Sequence, residues 1–115
     1  MKIIIAILAL STLAFANTPG QHKVTLTWTA SATAGVTYNI YRGAAAGVCN
    51  GNPTPYATGI AATQFVDSAG LTDGQTLFYN VAAVKGGGES TCDGEIQVLI
   101  PMLPAPPSAL SGTAQ

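Results

Sequence analysis

The chain has 115 residues, 48 % of them apolar and only 8 % charged, with 13 glycines, seven prolines and two cysteines. A globular domain averages about 25 % charged residues, so the length admits one domain and that domain is charge-poor. Four Lys/Arg against five Asp/Glu give a formal net charge of -1. That balance argues against nucleic acid and against a polybasic membrane-surface role, and the apolar fraction excludes intrinsic disorder.

At the amino terminus Lys2 precedes an apolar run over residues 3–13, and Ala14-Phe15-Ala16 follows as a small-x-small cleavage site. Residues 1–16 therefore read as a secretory signal, since the run is shorter than the roughly 20 residues of a membrane span. No membrane span is expected in the mature chain. It would be secreted or held at the cell surface, or be periplasmic in a bacterium. Export changes the reading of Cys49 and Cys92, which lie 43 positions apart. An oxidising compartment favours a bond between them within one chain, the alternatives being two thiols or an intermolecular bridge.

The remaining pattern is β throughout. Val24, Leu26 and Trp28 alternate with threonines and share one face of a first strand. Residues 37–42 form a second strand, with Tyr38 and Ile40 on one face and Tyr41 on the other. A loop of small residues covers 43–55, and a short strand is expected near Tyr56. Residues 63–67 carry Phe65 inward, and residues 71–74 turn the chain. Residues 76–84 alternate Leu77, Tyr79, Val81 and Ala83; after a Gly-rich turn, residues 91–100 align Ile96, Val98 and Ile100. Short strands separated by frequent turn signals indicate two packed sheets.

Four motifs then stand in order: Val24-Thr25-Leu26-Thr27-Trp28, Tyr38-Asn39-Ile40-Tyr41-Arg42, the run from Leu71 to Val84, and Gly87-Gly88-Glu89-Ser90. Together they resemble the B strand, C strand, E–F corner with F strand, and F–G turn of a fibronectin type III domain. The resemblance covers residues 23–101. It implies an all-β, two-sheet antiparallel Greek-key sandwich of immunoglobulin-like type over residues 17–103, with Trp28 and Tyr38 in the core. Two features depart from the family. Leu77 occupies the position of the corner tyrosine, and the opening strand A is truncated ahead of Val24. Residues 104–115 form a Pro-rich tail that resembles such an opening strand.

Catalytic chemistry finds little material. His22 is the single histidine, expected to be exposed and idle, because a catalytic base needs an orienting carboxylate and a nucleophile. Asp67 and Asp73 lack calcium-loop spacing and read as turn formers. Glu89, Asp93 and Glu95 lie near the Gly-rich turn and could bind a cation weakly, the alternative being a solvated edge. Two cysteines and one histidine make no zinc set, and Gly86-Gly87-Gly88 precedes no Lys-Ser/Thr. No enzyme, metal or cofactor is expected.

The leading expectation is an exported, non-enzymatic module for protein binding or structural assembly, its partner another protein or a second copy of itself. Contacts are expected in loops 44–55 and 85–91, with Arg42, Tyr56, Lys85 and Glu89 at their margins. Val24, Leu26 and Trp28 mark an edge left open by the short strand A. Pro107 and Leu110 mark a donor tail that could fill that edge in a neighbouring copy. The alternative is an accessory spacer or glycan-binding module of a secreted polysaccharide-active enzyme, using Tyr41, Tyr56 or Phe78.

Overall fold

A computed structural model describes residues 21–115; the expected signal segment lies outside the described residues. Seven strands follow: β1 (Val24–Thr27), β2 (Thr37–Gly43), β3 (Ala57–Ile60), β4 (Gln64–Asp67), β5 (Thr76–Lys85), β6 (Gly88–Glu89) and β7 (Ile96–Leu99). The period-two pattern is what makes them strands. In β1, Val24 and Leu26 are buried while Thr25 and Thr27 face water, and the branched residues suit a pleated, half-buried surface. No helix occurs among the described residues.

The strands form two antiparallel sheets. In one, β1 pairs with β4; in the other the order is β3-β2-β5, and β6 and β7 share the far edge of β5. The β5–β6 turn is Gly86-Gly87, at φ 58° and 83°. Positive φ at both central residues is the hairpin geometry that matches strand twist, and glycine adopts it without steric cost. Val24 and Leu26 meet Ile40, Leu77, Tyr79 and Ile100 in a single buried cluster, so the core lies where side chains of the two sheets meet.

Three expectations are corrected. The last strand is broken: β6 and β7 flank residues 90–95, which leave regular pairing. Asn80 Oδ1 accepts the backbone N–H groups of Val81 (2.9 Å) and Gly94 (3.0 Å), holding the detour in place. The short strand near Tyr56 begins one residue later and runs to Ile60. Tyr41, on the face opposite Tyr38 and Ile40, is nevertheless buried, for a reason found in the loop beyond β2.

Candidate functional site

The two-stranded sheet leaves one edge of β1 without a strand partner among the described residues. Trp28 N–H donates to the Thr63 carbonyl at 3.1 Å, so the even-numbered residues of β1 bond toward β4. In an antiparallel ladder the alternate residues point their polar groups the other way. The N–H and C=O groups of Thr25 and Thr27 therefore face the open side.

Beside that edge the interior is uncovered. Ile96 pairs with Tyr79 and shares the inward face of β7 with Val98 and Ile100. Tyr79 is 1 % exposed, yet Ile96 is 49 % exposed. Among the described residues the opposite sheet has no strand beyond β1, and this core-facing isoleucine is left half exposed there. Leu26, Trp28, Tyr79, Val81 and Ile96 help line a cleft of about 70 Å³ there. A wider cleft of about 330 Å³ adjoins it, with Trp28, Tyr38, Thr91 and Asp93 in its wall. Trp28 belongs to both. Its indole Nε1 is buried with no hydrogen-bond partner among the described residues, a condition that costs a donor about 1–3 kcal/mol.

The loop contacts expected from sequence are placed as follows. Cys49 and Cys92 form a disulfide, Cα–Cα 6.7 Å, which draws the 44–56 loop back across the outer face of β2 and β5. Glu95 caps the same loop by accepting the N–H groups of Gly47 and Val48 at 2.8 and 2.9 Å. A Cβ on Gly43 would stand 3.0 Å from Val48 Cγ1, so glycine is what lets the loop lie close. This cover is why Tyr41 and Ala82 are buried on the outer face. Lys85 Nζ donates to the Ala34 carbonyl, and Glu89 accepts from Asn39 Nδ2 and the Tyr41 hydroxyl. Burial first, and then Glu89, raises the Tyr41 phenol above its ordinary value.

Arg42 turns inward to the end of β4. Its Nη1 lies 2.9 Å from Asp67 Oδ2 and 2.7 Å from both the Tyr56 hydroxyl and the Ala69 carbonyl. Asp67 is buried at 2 % exposure, and the Tyr56 and Tyr79 hydroxyls donate to it at 2.8 and 2.5 Å. Burial alone would raise this carboxyl; hydrogen bonds from Tyr79, Tyr56 and Ala69 N–H, with the Arg42 charge, outweigh it and lower it. Asp67 thus forms its turn, accepting the Ala69 N–H two residues on at 3.2 Å, and is in addition a buried partner of Arg42. The tie that a corner tyrosine would make to the backbone is made by Tyr79, two residues after Leu77, to a side chain. Aspartate at the end of a strand reads as a turn signal; the basic and phenolic partners that make it a core residue come from three distant segments.

The expectation for His22 is corrected. Its side chain is 6 % exposed, and Nε2 lies 2.6 Å from Asp73 Oδ1. The other Asp73 oxygen accepts the Leu103 N–H at 3.3 Å. One turn residue thereby holds both the approach to β1 and the exit from β7. Beyond it, residues 104–115 form no strand and are exposed, with Leu110 98 % exposed. Of the aromatics expected for a glycan, Tyr41 is buried, Phe78 is half-buried opposite Gly43, and Tyr56 is 41 % exposed with its hydroxyl engaged by Arg42 and Asp67. No group of three His, Cys, Asp or Glu positioned for a metal occurs among the described residues. No protein-family model matches the chain, and no curated protein matches its sequence.

Proposed function

We propose that this chain is an exported, non-enzymatic β-sandwich module, of fibronectin type III-like Greek-key topology, that binds an extended polypeptide by adding it to the free edge of β1. The half-exposed Ile96 on a core-facing side carries the reading: among the described residues it lies beside the edge of β1 that has no strand partner. Two antiparallel sheets, β1–β4 and β3-β2-β5 with β6 and β7 on its far edge, are compatible with that topology. The intrachain disulfide suits an oxidising compartment, and no described helix is long and apolar enough to cross a membrane. Strand addition uses main-chain hydrogen bonds for affinity and pockets for alternate side chains for specificity; Thr25 and Thr27 supply the former and the cleft at Ile96 the latter. A glycan reading has less support, because Tyr41 is buried, Phe78 is half-buried and the Tyr56 hydroxyl is engaged by Arg42 and Asp67.

Hydrogen exchange tests the edge directly, since amides open locally at rates set by their own bonding and burial. In dilute protein the amides of Thr25 and Thr27 should exchange much faster than that of Leu26, which bonds to β4. Protection of Thr25 and Thr27 at high dilution would show that the chain closes its own edge and would overturn the proposal.

A further inference from the structure

We infer that the strand received at β1 is the Pro-rich tail of a second copy of this chain, with Leu110 seated in the cleft beside Ile96; this rests on the edge reading above. The tail is the one long segment of the described chain that is neither paired nor buried, and its single large apolar side chain, Leu110, is almost fully exposed. Pro104, Pro106 and Pro107 stiffen the approach to it. Seven residues from Leu103 to Leu110 in polyproline form span roughly 22 Å at about 3.1 Å per residue, enough to leave the parent molecule.

The exit point selects the acceptor. Asp73 holds Leu103 and also His22, two residues ahead of β1, so the tail leaves at the Val24 end of its own β1. Turning back onto that strand, it would run parallel. Entering a second copy from the Trp28 end, it runs antiparallel to β1, which is the more stable pairing, and arrives first beside the unpartnered indole N–H. A backbone carbonyl of the incoming strand gives that donor an acceptor. Leu110, on the inward side of the donated strand, covers Ile96. Each copy then has one used and one unused end, a head-to-tail contact that does not close and so makes chains of subunits. The low net charge offers little repulsion against them.

Two variants separate donor from acceptor. Thr27→Pro removes an N–H that faces away from β4, so it blocks acceptance and leaves the β1–β4 ladder intact; proline is tolerated on a strand edge for this reason. Leu110→Asp lies outside every strand and blocks donation. Sedimentation of the full chain should show a ladder of multiples. Leu110→Asp should weaken association by roughly ten- to a hundredfold, and each variant alone should run as a monomer. Their mixture should give one-to-one dimers and nothing longer, with a change in the fluorescence of Trp28, the only tryptophan. Retained protection of the Leu26 amide shows that both variants are folded. If Leu110→Asp polymerises like the parent while Thr27→Pro does not, the tail is not the occupant and the edge reading survives. If the parent is monomeric, or both variants still polymerise, the inference fails. If Thr25 and Thr27 are protected in monomeric Leu110→Asp, the edge is closed from within and both readings fail.

Discussion

Asp67 shows how one side chain acquires its meaning from its neighbours. Its carboxylate joins Arg42 of β2, Tyr79 of β5 and Tyr56 ahead of β3, and so ties the two sheets at one end. Asp67→Ala should cost about 3–5 kcal/mol in urea unfolding, the usual cost of removing one member of a buried pair. The pH dependence follows from the direction of the shift. A carboxyl held below its unfolded value contributes stability above pH ~3.9 and loses it as pH falls through the lower folded value. Acid unfolding should therefore steepen below about pH 4, and Asp67→Asn should flatten that limb. Tyr79 moves the opposite way: burial and then the Asp67 carboxylate raise its phenol. Stability should hold up to pH ~10, where unfolded phenols begin to ionise, and decline above it. Tyr79→Phe should weaken that alkaline decline, as followed by circular dichroism.

At the scale of elements, the loop between β2 and β3 is a cover rather than a free contact surface. Its disulfide closes 43 residues of chain and should contribute about 3–4 kcal/mol in the chain-entropy model, read as the difference between oxidised and reduced protein in denaturant. Reduction should also release the outer face, making the Tyr41 hydroxyl accessible to chemical modification. Gly43→Ala places a methyl against Val48 and should destabilise by about 1–3 kcal/mol through overpacking. Adding Val48→Ala should restore much of the loss. A double-mutant cycle measures that coupling, and strict additivity would show that Val48 does not rest on Gly43. The break between β6 and β7 belongs to the same arrangement, since residues 90–95 carry both Cys92 and the capping Glu95.

For the molecule as a whole, Asp73 decides how the chain ends are presented. Its hydrogen bond with His22 comes first in lowering its carboxyl, with the Leu103 N–H adding to the effect. This exposed clasp is therefore present above the ordinary carboxylate range and released as acid protonates it. Asp73→Ala should accelerate exchange of the Leu103 amide at neutral pH while leaving the Leu26 amide protected. In the full chain it should also shorten the ladder of assemblies, because the tail is then no longer launched from a fixed point.

The alternation of Val24, Leu26 and Trp28, the run from Leu77 to Val81 and the Gly86-Gly87 turn determined strands and one hairpin by themselves, because period and turn chemistry are local properties. Pairing of Cys49 with Cys92 was legible from the cysteine count and the expected export signal. The rest depended on contacts between residues far apart. The burial of Asp67 and His22 needed partners from other segments, and the burial of Tyr41 needed a loop folded back over a face that alternation alone assigns to water. The broken last strand likewise follows from Asn80 and the disulfide, neither of which leaves a period in the sequence. The exposure of Ile96 is the clearest case. Sequence placed it on the core-facing side, and only the tertiary structure, in which no described strand lies beyond β1 in the opposite sheet, left it half exposed beside that edge.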